Sequence, residues 1–282
     1  DLVLGFRLPR LLLASILGGG LALAGATFQA LLRNPLAEPY ILGVSGGAAV
    51  GAVVVLALGL TTLASWTLPL AAFAGALLAI TIVFRVATAA GRALDVRVLL
   101  LAGVVTGAFF AAVISFILAV SDARTVRSAV LWMMGSTAGA DWQTVAVAAA
   151  YTLPTALVII ALARPLNTLA VGEETALYLG TDVERVKRIA FAAASLVTAA
   201  GVAVAGVIGF VGLVVPHALR LVVGSDHRIL LPLCFLVGAA FLTTADTLAR
   251  VILSPTEIPI GVVTAFVGVP IFLVLLRRSA FR

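Results

Sequence analysis

Arg33-Asn-Pro-Leu-Ala-Glu-Pro-Tyr-Ile-Leu-Gly-Val-Ser-Gly-Gly-Ala-Ala-Val-Gly51 sets two prolines and a pair of opposite charges at the head of an apolar segment spaced by glycine. Asn34-Pro35 and Glu38-Pro39 each push the residue before proline out of helical geometry, so one helix ends here and another begins. Beyond them Gly43, Gly47 and Gly51 recur at every fourth position and fall on one helix face. Small residues at that spacing let membrane helices approach closely. The stretch reads as a tight turn between two packed membrane helices.

The rest of the chain agrees with this reading. It is 63% hydrophobic and 11% charged, with a mean hydropathy of +1.24, whereas soluble domains carry about a quarter of their residues charged. Apolar runs occupy 8–32, 41–60, 66–88, 98–120, 142–163, 189–209, 229–248 and 258–276, with a shorter one at 210–224. Most approach the ~20 residues that a spanning helix needs; the short run is a tilted helix or a broken span. The expectation is an all-α polytopic membrane protein with nine transmembrane helices.

Its orientation follows from the basic residues. With the chain entering from outside, Arg7, Arg10, Arg124, Arg127 and Arg250 lie in outer loops. The other thirteen of the eighteen Lys+Arg fall inside, as the positive-inside rule requires. The high pI, near 10.7, thus reflects topology. Basic residues scattered along a membrane boundary do not make a nucleic-acid surface, so the partner is a lipid bilayer and no nucleic acid is expected.

Several chemistries are excluded. Cys234 is the only cysteine, which leaves no disulfide framework or thiolate metal site. No P-loop is present and Lys187 is the only lysine, so the chain does not itself cradle nucleotide phosphates. His217 and His227 lack zinc-protease spacing. No metal ligands, cofactor or catalytic residues are expected. Gly43-Val-Ser-Gly-Gly47 fits a nucleophile-elbow pattern, but a serine needs a base, and both histidines lie far along the chain. Ser45 is read as a small packing residue. Asp246 is the most interior acid, and Arg250 four residues on supplies an i,i+4 partner near the outer boundary. No chain of intramembrane carboxylates, such as ion-coupled transport would use, is found.

The longest polar stretch, Arg164–Arg188, lies inside. Glu173-Glu174 open a short helix, where the helix dipole favours acids, and Gly180 stops it. Thr181 and Glu184 form a capping box for the next helix. Leu177 and Leu179 remain apolar with no core to join, which suggests a knob offered to a soluble partner. Outside, Arg7, Arg10 and Arg250 suit recognition of carboxylates, which the planar guanidinium binds well.

Taken together, these residues resemble the membrane subunits of type II ABC importers, the FecCD family. The matching motifs run along the whole chain: Arg7-Leu-Pro-Arg10, Arg33-Asn-Pro-Leu-Ala-Glu-Pro39 with Leu42-Gly-Val-Ser-Gly46, Leu100-Leu-Ala-Gly103 and Trp132-Met-Met-Gly135. They continue with Leu169-Ala-Val-Gly-Glu173, Leu179-Gly180, Gly209-Phe-Val-Gly-Leu-Val-Val-Pro-His217, Asp226-His-Arg228 and Glu257-Ile-Pro-Ile-Gly-Val-Val-Thr-Ala265.

The resemblance implies a single permease domain over 1–282, with 164–188 as its coupling segment, and ten helices in the full subunit. The first would precede Asp1, which is not a natural start, so a further upstream segment is expected. The implied assembly is a homodimer with two ATP-binding-cassette ATPase subunits and a periplasmic or extracellular substrate-binding protein. Gly172, Glu173, Glu174, Ala176, Leu177, Leu179 and Gly180 match the ATPase-coupling helix, and Arg7, Arg10 and Arg250 match the arginines that dock the binding protein. The loop Arg92–Arg97 takes the place of the cytoplasmic gate, but with Leu94, Asp95 and Val96 where small hydroxylated residues are usual; Asp95 could instead cap the following helix. Ser15, Gly19, Ala22, Ala26 and Gln29 on 8–32 are the expected lining of the passage. The implied cargo is a bulky metal chelate: cobalamin, haem or an iron–siderophore. The rival class is an ATP-independent secondary transporter or channel, which needs an embedded ion site and no partners.

Overall fold

The computed structural model describes residues 3–89 and 94–280, and every regular element among them is helical. Helix α1 (Leu8–Leu31) ends before the Asn34-Pro35 turn, and a short 3-10 turn at Pro39–Leu42 leads into α2 (Val44–Ala57). Then follow α3 (Thr67–Thr88), α4 (Val96–Ala119), α5 (Ala123–Met133), α6 (Trp142–Ala161), α7 (Ala163–Val171) and α8 (Glu173–Tyr178). The chain closes with α9 (Val183–Ala205), α10 (Val211–Val223), α11 (His227–Val251) and α12 (Ile260–Ala280). Six helices among the described residues are long and apolar enough to cross a membrane, those containing α1, α3, α4, α6, α9 and α11. Shorter apolar helices lie at Val44–Ala57, Val211–Val223 and Ile260–Val274. By the positive-inside rule, the arginine-rich ends are the expected cytoplasmic side.

Two helices form the hub. In α1, 78% of the apolar window is buried, and in α9, 72%, against 22% in α3 and 28% in α4 and α6. Helix α1 packs on α6, α9, α10 and α11, which leaves the outer helices to face lipid or a neighbouring subunit. Absence of side chains permits the closest contacts: a Cβ on Gly18 would fall on the carbonyl of Gly238 in α11, and one on Gly25 on that of Gly212 in α10. The ridge of α2 works the same way, with Gly47 and Gly51 against Gly75 and Ala71 of α3. Gly43 departs from the expected ridge. It precedes the helix as a left-handed residue, φ +75°, and faces Gly103 and Gly107 of α4.

The short apolar run forms a short helix preceded by unwound chain. Helix α10 has 13 residues, about 20 Å at 1.5 Å per residue, short of the ~30 Å hydrocarbon core. Gly212 at its start lies against Leu21 and Gly25 in the second half of α1, so the unwound residues 206–210 lie within the helix bundle. Unsatisfied backbone is costly in lipid, and the opening motif resolves this. Tyr40 Oη donates to the carbonyl of Ile208 (3.0 Å) and accepts its N–H (3.1 Å). Glu38 Oε1 accepts the N–H of Phe210 (2.7 Å). The two-proline turn is therefore both a connection and a polar brace for a distant helix break.

Aspartates start five helices. Asp95, Asp122, Asp141, Asp182 and Asp226 each accept a first-turn N–H of α4, α5, α6, α9 and α11, the ordinary capping interaction. Two sequence expectations are decided here. Asp95 does cap its helix, bonding Arg97 N at 2.8 Å. The capping box on Thr181 and Glu184 does not form: Asp182 caps α9, Thr181 bonds Thr168 instead, and Glu184 turns toward Leu94.

Candidate functional site

At the arginine-rich end of the bundle α7 and α8 form a braced unit. Asn167 on α7 donates to Asp226 (2.7 Å) and accepts the backbone N–H of His227 (2.8 Å) at the start of α11. Asp226, bonded by Arg228 and by Asn167, has its carboxyl held well below the usual range, so it stays an ionised cap. Helix α8 ends at Gly180, φ +79°, where the N–H groups of Gly180 and Thr181 return to Leu177 and Ala176 in a Schellman stop. Ala176 is fully buried beneath, while Leu177, Tyr178 and Leu179 are 60%, 91% and 66% exposed. An apolar tip this bare on a rigid, charged base is suited to contact with a protein. Glu174 lies exposed beside it and Gly172, φ +149°, forms the hinge from α7.

Glu173 faces the other way. Its carboxylate meets Lys187 (2.6 Å) and Arg33 (3.6 Å), so it ties α8 to α9 and to the turn after α1. Lys187 also bonds the carbonyl of Leu94 (3.1 Å) and Glu184 (3.3 Å). Of the expected gate, Leu94 is buried, Asp95 exposed and Val96 half-buried at the start of α4; Arg92 and Ala93 fall outside the described residues.

At the opposite end, Arg10 is the centre of a cluster. Its guanidinium binds Asp246 through Nε and one terminal nitrogen, and Glu257 at 2.9 and 3.0 Å. Arg250 Nε reaches Asp246 Oδ2 at 3.2 Å, and Thr137 donates to the same carboxylate. The expected Asp246–Arg250 pair is present, then, but Arg10 shares it. Arg10 and Arg250 are occupied within the subunit, and only Arg7 of the three is fully exposed.

The expected passage lining on α1 finds no open space. Ala22 and Ala26 are fully buried, Gly19 packs on Phe235, and Ser15 bonds Thr243 at 3.0 Å. Gln29 donates to the carbonyls of Ala37 (3.2 Å) and Gly212 (3.1 Å) and accepts from Arg220. These small and polar residues serve packing in this conformation. Open space lies elsewhere, in an apolar groove of ≈ 610 Å³ between the end of α5, the unwound 206–210 segment and α12, lined by Met134, Phe210, Ala265, Phe266 and Pro270 among others. Ser45 sits half-buried on α2, which packs on α3 and α4, while the histidines stand on α10 and α11.

Sequence reading missed Lys187, Glu38, Tyr40 and Glu257 as joints. Their partners are far away in sequence, and the one visible signal was that a charge stood beside or within an apolar run. The eleven acids among the described residues now have an accounting: five cap helices, Glu38, Glu173, Glu184, Asp246 and Glu257 join elements, and Glu174 is exposed. Among the described residues no group of three metal-ligating side chains occurs.

Comparison with known proteins places this geometry. The profile of the FecCD transport family matches residues 1–278. The chain is 49% identical over 276 residues to the cobalamin import system permease protein BtuC of Halobacterium salinarum, covering 98% of this chain and 73% of that protein. It is 45% identical to the vitamin B12 import system permease protein BtuC of Klebsiella pneumoniae, covering 98% and 82%. Among solved structures, an inward-facing conformation of a metal-chelate type ABC transporter superposes with a TM-score of 0.92 and 32% identity, over 98% of this chain and 87% of that one. PsaBC from Streptococcus pneumoniae shares the fold at a TM-score of 0.65 and 19% identity, over 98% and 93%.

Proposed function

Because the chain belongs to the FecCD transport family and is a multi-pass permease subunit of an ABC importer in the cytoplasmic membrane, we propose that its cargo is a bulky metal chelate, cobalamin first, with haem and iron–siderophores as the competing candidates. The names of its relatives support cobalamin. The apolar groove of ≈ 610 Å³ supports a large cargo held by few fixed contacts.

The proposed working unit is a homodimer of one-domain permeases, 1–282, in which all nine apolar helices cross the bilayer and the passage runs between the two copies. The groove beside α12 faces that passage, in place of the α1 residues first expected there. Two ATPase subunits engage α7–α8 within 164–188, chiefly through Leu177, Tyr178 and Leu179. The observation that carries this is the bare apolar tip on a braced cytoplasmic helix. A substrate-binding protein docks outside, where Arg7 is free and Arg10 and Arg250 sit behind it in an ion cluster. Leu94, Asp95 and Val96 stand at the inner mouth. ATP closure of the two ATPases shifts the permease between states only because those partners bind the states unequally.

The test is ATP-driven uptake into liposomes holding the permease, its ATPase and its binding protein, with labelled cobalamin, haem and an iron–siderophore offered in turn. Uptake of cobalamin alone supports the reading. Uptake of another chelate alone moves the substrate, and uptake without ATP or partner rejects the proposed cycle.

A further inference from the structure

Lys187 lies in the second turn of α9 with its side chain 3% exposed. An ammonium has three protons to donate, and here they reach three segments: Glu173 at the head of α8 (2.6 Å), the carbonyl of Leu94 ahead of α4 (3.1 Å) and Glu184 of its own helix (3.3 Å). Glu184 completes the ring, its other oxygen accepting the N–H of Leu94 at 2.8 Å. Both backbone polar groups of Leu94 are thus gripped, its side chain is fully buried, and the next residue caps α4. Arg33 adds a weaker contact to Glu173 at 3.6 Å.

A buried charge stripped of one partner is far less stable than a pair kept or removed whole. The ammonium is buried while its two carboxylate partners are about a third exposed (33% and 35%), so the joint ties α8 to Leu94 through Lys187. We propose that Lys187 is the positioning residue that carries a displacement of α8 to the inner end of α4, through the path Glu173–Lys187–Leu94. This rests on reading α8 as the ATPase contact. It gives Glu173 a role opposite to that of its neighbours on α8: Leu177 and Tyr178 receive the push, and Glu173 passes it inward.

The experiment uses the complete transporter in liposomes, with uptake and ATP hydrolysis measured on the same preparation and assembly checked by size exclusion. Lys187→Met is expected to leave hydrolysis running while uptake per ATP falls by about tenfold, the scale of an ordinary coupling energy. Lys187→Arg, which keeps the charge and donors, restores it. Glu173→Gln/Lys187→Met removes the pair as a unit and is expected to fold and to uncouple equally. Unchanged uptake per ATP in both Met variants overturns the proposal. So does a proportional loss of uptake and hydrolysis, or failure of both variants to assemble, since each marks a merely structural residue. Leu177→Asp separates the two readings: full uptake there rejects α8 as the ATPase contact. Lost uptake in Leu177→Asp beside normal coupling in Lys187→Met rejects only the joint.

Discussion

Asp246 gathers two arginines and a threonine around one carboxylate that is 2% exposed. Its replacement by asparagine keeps the shape and removes the charge, leaving Arg10 with Glu257 alone and Arg250 without its ion pair. A loss of about 3–5 kcal/mol is expected, the range for breaking a buried pair from one side, read as a lower melting midpoint of the detergent-solubilised protein. Tyr40→Phe strips both partners from Ile208 and should cost about 1–3 kcal/mol for each orphaned group. Hydrogen exchange at the Ile208 amide checks this directly: faster exchange is expected, and an unchanged rate would remove the brace from the account. Neither joint was fully legible in the sequence. Asp246 was visible as an odd charge, and its near partner Arg250 was found because four residues separate them. Arg10 was invisible as a partner, because tertiary contacts leave no local spacing. The misplaced cap at Thr181 has a simpler cause, since two capping residues stood side by side and the chain used the second.

At the scale of the helix, apolar length and proline punctuation carry nearly all the information. Runs of apolar residues located the six long and three shorter apolar helices among the described residues, most of them to within a few positions, although α9 begins at Val183, six residues before its run. Helix α5 escaped because it is amphipathic, with Arg124 and Arg127 on a short outer segment that reads as a loop. Helix α1 shows how one composition admits two readings. Its small residues suggest a passage, and in this conformation they permit close packing. That use has a measurable consequence. Gly25→Ala drives a methyl group into the carbonyl of Gly212, so α1 and α10 must separate, at the ~1–3 kcal/mol typical of overpacking. Thermal unfolding of the variant gives the number, and an unchanged midpoint would mean that the contact is slack.

For the molecule as a whole, charge asymmetry fixes the orientation and burial fixes the division of labour. Arg124 and Arg185 are both exposed, and the only native cysteine, Cys234, is fully buried. In right-side-out vesicles, a membrane-impermeant maleimide should therefore label Arg124→Cys and spare Arg185→Cys until the membrane is opened; the reverse pattern would invert the topology. The hub of α1 and α9 is the most buried part, while the outer helices and the α8 knob offer surfaces. What the sequence could not apportion was which polar residues are joints and which are surfaces, since both look alike until the helices are assembled.

The one lysine in 282 residues is the buried joint beneath α8. Arginine supplies every other side-chain cation apart from the two histidines, and guanidinium does not react with amine-directed acylating reagents. The ε-amine of Lys187 is thus a built-in reporter: such a reagent finds it shielded while α8 is seated, and its rate of modification during turnover counts how often that seat opens.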